Sequence, residues 1–151
     1  MKVLSGTEIF KRIEGSIHAE QQVFERWVEL TVATVGRFEG PGVLDFGGSQ
    51  FRSAPKNTIS PEVRDPGEEF GWWFLDPGAY WIELNEKIRM SGISLGQVSP
   101  SPRLLSCGAY HPLIAIPTSI EEATISLPLI VSERGLDLKQ NARISTLMLM
   151  A

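Results

Sequence analysis

Short runs of alternating apolar and polar residues, each closed by glycine or proline, dominate this chain and set what it can fold into. The clearest is "WVELTVATVGRF", Trp27 to Phe38, where Val28, Leu30 and Val32 alternate with Glu29, Thr31 and Ala33. A two-residue period built largely from β-branched side chains is the mark of a strand. In "WWFLDPGAYWIELNEKIRM" a strand meets a turn with Pro77 ahead of Gly78, then a second strand. There Tyr80, Ile82 and Leu84 alternate with Trp81, Glu83 and Asn85. "YHPLIAIPTS", "ATISLPLIVSE", "GLDL" and "ARISTLMLM" read as further strands, and Pro112, Pro117 and Pro128 within them belong at edges, bulges or strand starts. The pattern predicts an all-β sandwich or jelly roll.

One helix is expected, over residues 5–14. Ser5 or Thr7 caps it, Glu8 lies in the first turn, and Ile9, Phe10 and Ile13 share a face. "FEGPGVLDFGGSQ" reads as turn, short strand, turn, and the polar, proline-rich segment Arg52 to Gly71 as a long surface loop. At 151 residues, one domain spanning 1–151 is expected. The net charge of −4 argues against a nucleic-acid coat protein, which needs a basic face. Cys107 is the only cysteine, so neither an intrachain disulfide nor a cysteine-cluster metal site is available, and a reducing cytoplasm fits. No apolar run has the length of a signal peptide core or a membrane span, so no membrane association is expected.

"PSPRLLSCGAY", Pro100 to Tyr110, raises a sharper question: phosphate cradle, remnant of one, or plain turn. Four phrases bear on it. "EQQVFERWVELTV" is similar to "QVQPNGVDLTV" of the dUTPase and dCTP deaminase superfamily, and "WWFLDPGAYWIELNEKI" to its tryptophan, Pro-Gly, tyrosine and Asn-Glu pattern. "PSPRLLSCGAY" resembles its "PRSSLLR" phrase, and "GLDLKQNARISTLML" its "NARIAQLVF" phrase. The phrases occur in the family's order and span nearly the whole chain. The resemblance implies a distorted jelly roll, the dUTPase-like β-clip, assembled as a homotrimer with sites between subunits. It implies dUTP or dCTP as ligand and, for dUTPase-like hydrolysis, Mg2+ bridging phosphate oxygens while a carboxylate orients water.

The departures from the family pattern fall on the chemistry. The phosphate arginine becomes Ser101, the two serines become Pro102 and Arg103, and the next arginine becomes Ser106. Thr118 stands at the water-orienting aspartate, Pro128 near the deaminase glutamate, Thr146 at the glutamine and Glu29 at the aspartate of the first phrase. No counterpart of the family's closing tail is expected after Ala151. The phosphate-binding candidates are Ser101, Arg103, Ser106 and Arg143, with Lys139 as a possible neighbour; Glu121 and Glu122 are the carboxylate candidates. Pro102 removes an N–H donor from the expected cradle, and Arg103 restores charge from two positions along a strand. Trp72, Trp73 and Trp81 are candidates for base stacking but better suited to packing. His18 and His111 show no metal spacing and read as surface or packing residues, and Cys107 as a small core residue. Loss of several transition-state contacts together predicts weakened or absent turnover in a deoxypyrimidine-nucleotide protein of this fold. The alternative is a non-catalytic nucleotide sensor, or a structural or interaction subunit.

Overall fold

The computed structural model describes residues 1–151. Its elements in chain order are α1 (Gly6–Phe10), β1 (Ile13–Glu14), α2 (Ala19–Gln22), β2 (Val28–Phe38), β3 (Lys56–Ile59), β4 (Trp72–Leu75) and β5 (Gly78–Arg89). There follow β6 (Leu95–Pro100), α3 (Pro102–Ser106), β7 (Ala109–Tyr110), β8 (Ile114–Ile116), β9 (Glu122–Val131), β10 (Leu136–Lys139) and β11 (Arg143–Met150). The all-β expectation holds. A nine-stranded sheet runs β7-β9-β5-β2-β11-β6-β8, with β1 added beside β5 and β3 beside β2; β4 and β10 form a separate pair.

The alternation seen in the sequence becomes the core. Tyr80, Ile82, Leu84 and Ile88 of β5 point inward, and so do Ala123, Ile125, Leu127, Leu129 and Val131 of β9. The two strands are antiparallel with Ile82 opposite Leu127 and Tyr80 opposite Leu129. Burying each large aliphatic side chain contributes roughly 1.5–3 kcal/mol, so this one pair of strands supplies a large share of the driving force. Trp73 belongs to the same core, its indole N–H donating to the Ile59 carbonyl at 2.8 Å. Pro128 lies within β9 opposite Trp81, two residues short of where β7 begins to pair with β9, so the missing N–H interrupts no second ladder.

Three local expectations are corrected. The N-terminal helix closes at Phe10 rather than Glu14, because Ile13 and Glu14 pair with Ile88 and Lys87 of β5. Ser5, not Thr7, is the cap: its Oγ accepts from Glu8 N–H while the Glu8 carboxylate accepts from Ser5 N–H, a reciprocal box. The proline-rich segment after Arg52 contains β3, which extends β2 through Val35 opposite Ile59. The strand expected near Val43 is reduced to a single bridge with Arg52.

β2 is paired on both edges, but over different stretches. Its first residues pair with β11, Thr31 opposite Arg143, and from Val32 onward it pairs with β5. On the β5 edge the ladder begins only at Val32, so the Thr31 N–H meets no backbone carbonyl there. It donates to the buried Glu86 carboxylate at 3.0 and 3.1 Å, and the Thr31 hydroxyl donates to the same group at 2.6 Å. Gln22 Nε2 adds a further bond at 3.0 Å and also reaches the Glu29 carbonyl, fastening α2 to β2. The Gln22 amide oxygen accepts the N–H groups of Ile17 and His18.

Burial raises the Glu86 pKa, opposed by the bonds from Thr31 and Gln22. The native carboxyl therefore keeps its proton to higher pH than the unfolded one. The associated stability is full below the ordinary glutamate range and declines as pH rises towards the raised native value. Glu86→Gln should remove that part of the decline. Near neutral pH it should also cost about 1–3 kcal/mol, since an amide nitrogen would face N–H donors. Chemical denaturation across this range measures both effects, and an unchanged slope would acquit Glu86.

Candidate functional site

The Pro100–Tyr110 stretch turns sharply. β6 ends at Pro100 and α3 starts at Pro102, so the strand expected there is replaced by a helix. The cause is local: Ser101 Oγ accepts the Leu104 N–H at 3.2 Å, the Ser101 carbonyl accepts the Leu105 N–H, and Pro102 takes the first helical position. A proline there loses a donor the helix never uses. The side-chain alternation argued for Arg103 therefore does not apply.

α3 forms one wall of a cleft of about 420 Å³, within the range of small-ligand pockets. Arg103, Leu104 and Cys107 line it on this side. β10, the turn through Asn141 and the start of β11 close the other, with Trp72 at the margin. Asn141 adopts a positive φ of 65°, and its amide oxygen accepts from Asn85 Nδ2 at 2.9 Å, which fixes the turn. The cleft brings together Arg103, Lys139 and Arg143, as the sequence proposed for this trio.

Their charges are not equally available. Lys139 Nζ lies 3.8 Å from Glu68 and 5.3 Å from the centre of the Trp72 ring, which Arg64 also covers at 4.0 Å. Arg143 donates to the Gln21 carbonyl and sits 3.9 Å from Glu29 Oε1. Glu29 is only 6% exposed and its Oε2 has no hydrogen-bond partner. Burial raises the Glu29 pKa, while the charges of Arg143 and then Arg103 pull it back down.

The other candidates lie elsewhere or are already engaged. Ser101 is fully buried as a helix cap, and Ser106 is exposed with its hydroxyl donating to the Pro102 carbonyl at 3.0 Å. Glu121 and Glu122 are exposed outside the cleft, and Glu122 lies 3.5 Å from Lys87. Thr146 faces Glu29 across the β11–β2 pairing. His111 is buried between the Ser145 hydroxyl and the Pro112 carbonyl, and burial lowers its pKa. Cys107 is exposed on the cleft wall, correcting its expected place in the core. Trp81 lies beneath Lys56 at 4.6 Å and edge-on to Phe38, so none of the three tryptophans considered for stacking presents an uncommitted ring.

No three His, Cys, Asp or Glu side chains come together in a way that could hold a metal ion. The side chains of this chain do not by themselves fit a magnesium cage, and no chemical step follows from one. The sequence reading missed the buried Glu86–Gln22 pair. A signal was present: Glu86 continues the inward phase of Tyr80, Ile82 and Leu84, where a glutamate needs a reason to be.

No protein-family model matches the chain. Curated relatives do. A probable deoxyuridine 5'-triphosphate nucleotidohydrolase of Methanococcoides burtonii is 29% identical over 141 residues, covering 90% of this chain and 76% of that one. One of the same name from Methanosarcina mazei is 27% identical over 155 residues, covering 98% and 87%. Among solved structures, the 2'-deoxycytidine 5'-triphosphate deaminase of Agrobacterium tumefaciens superposes with a TM-score of 0.69 at 12% identity. That match covers 98% of this chain but 47% of the deaminase, so the chain spans about half its length and shares its fold. Ordered motifs, fold and curated relatives all point to the dUTPase and dCTP deaminase superfamily.

Proposed function

We propose that residues 1–151 act as one cytoplasmic, homotrimeric unit of deoxypyrimidine nucleotide metabolism. It binds the phosphates of dUTP or dCTP in the α3–β11 cleft and turns them over weakly or not at all. The convergence of Arg103 and Arg143 on one cleft carries the binding half of this reading. Two guanidinium groups suit phosphate oxygens, which they bind through paired donors. The names of the relatives, a dUTP nucleotidohydrolase and a dCTP deaminase, support the choice of ligand. No helix is long and apolar enough to cross a membrane.

The weakness of turnover follows from what the cleft contains. Water attack on a phosphate or a pyrimidine needs a carboxylate free to take a proton. Glu121 and Glu122 do not line the cleft, Glu29 is buried beside Arg143, and Asp137, the exposed carboxylate on the lining, matches none of the family's acid positions. Thr118 and Pro128, at the positions matched to the family's aspartate and glutamate, carry no ionisable group. A non-catalytic sensor is the second reading, favoured by the lack of an ionisable group at Thr118 and Pro128.

Nucleotide at 100 times its dissociation constant should stabilise the native protein by about 2.7 kcal/mol. Loss of one charge-assisted contact in Arg103→Ala should weaken that binding about tenfold or more. Thermal shift with dUTP and dCTP tests this, and absence of any shift in the native protein would remove the nucleotide from the proposal. Pyrophosphate and ammonia release should stay well below roughly 1 per second. Rates at that level would make the protein an ordinary enzyme of that superfamily, and Gln substitutions at Glu121 and Glu122 would then locate its base. Light scattering should return about three chain masses for a closed three-fold assembly; a stable monomer at micromolar concentration would contradict it.

A further inference from the structure

Arg143 does not wait with a free charge for a ligand. A buried carboxylate already stands beside it: Glu29 Oε1 lies 3.9 Å from Arg143, and Arg103 is near enough for its charge to act on the same group. Around the cleft, the positive charges of Arg103, Arg143 and Lys139 are matched by Glu29, Glu68 and Asp137. An anion with two or more charges therefore enters a site whose cations are largely offset, with Arg64 over Trp72 at its margin. It must also settle near a carboxylate whose buried Oε2 has no hydrogen-bond partner.

We propose that Glu29 sets the charge this cleft accepts: it competes internally for Arg143, and a dianionic phosphate group binds together with a proton taken up by Glu29. This rests on reading the cleft as the phosphate site. The groups around Glu29 are few. Arg143 and the uncharged Thr146 face it from β11, Arg103 from α3, and Gln22 from α2 bonds only its backbone carbonyl. No other acid faces it. An incoming anion neutralises the arginines that hold the Glu29 proton affinity down and adds repulsion of its own. Glu29 then draws a proton from solvent, and affinity rises as pH falls. Burial alone has already moved the carboxyl in that direction.

Sulfate is the probe, because it remains a dianion across the range in which a carboxylate titrates. Titration calorimetry in two buffers of different ionisation heat counts the protons taken up. The native protein should bind sulfate more tightly as pH falls from neutral, with uptake approaching one proton per sulfate. Glu29→Gln should bind about tenfold more tightly near neutral pH, having lost the competing charge, and should show no uptake. Arg103→Ala should abolish binding in both backgrounds, which places the sulfate in the cleft. Binding to the native protein without proton uptake, or equal affinity in Glu29→Gln, overturns the role of Glu29 and leaves the cleft intact. No binding of sulfate or of nucleotide by either protein overturns the phosphate reading itself, and the Glu29 proposal with it. Should Glu29→Gln fail to fold, proton uptake by the native protein decides alone.

Discussion

The Glu86 carboxylate holds the structure together at its weakest seam. β2 lies between β11 and β5, and on its β5 edge the ladder begins only at Val32, leaving Thr31 without a backbone partner there. Thr31 sits where an unpaired buried N–H would cost about 1–3 kcal/mol. Glu86 supplies the missing acceptor and, with Gln22, ties α2 to the same point. The ladder between β5 and β9 also breaks its register here, between Glu83 and Lys87. The curl of the sheet and the attachment of α2 thus share one ionisable group. A buried carboxylate is a poor source of stability by itself, but removing it would strand several donors at once.

What the sequence made legible follows from the reach of each signal. The period of two along β2, β5, β9 and β11 is local, so the strands and their inward faces could be read directly. The Glu86 bridge is not local: Thr31 and Glu86 are 55 positions apart, and no periodicity announces which residue lacks a backbone partner. β3 was hidden because its four residues, Lys56 to Ile59, lie among polar and proline residues and gain their order only from β2. At the site, Arg103, Lys139 and Arg143 were found through motif order, and the structure brings them to one cleft. The same motifs could not show that Glu29 would be buried beside Arg143.

That burial changes what the cleft is. Lys139 is engaged by Glu68 and the Trp72 ring, and Arg143 by the Gln21 carbonyl and Glu29. Arg103 is the cation for which no hydrogen bond or ion pair inside the chain competes directly. It is also the residue that arrives two places after the position where the family pattern has its arginine.

α3 explains how this stretch keeps the fold. Ser101 is fully buried, and a long cation there would have to displace core side chains or turn the helix. As serine it caps α3, and Pro102 begins the helix at the one position where a missing N–H is harmless. Only after this short turn does the chain point a side chain back at the cleft, and that residue is Arg103. A sequence that looks like a broken phosphate loop is thus a well-formed helix start. The start of α3 presents Arg103 to the cleft that Arg143 of β11 also lines, with Glu29 buried 3.9 Å from Arg143.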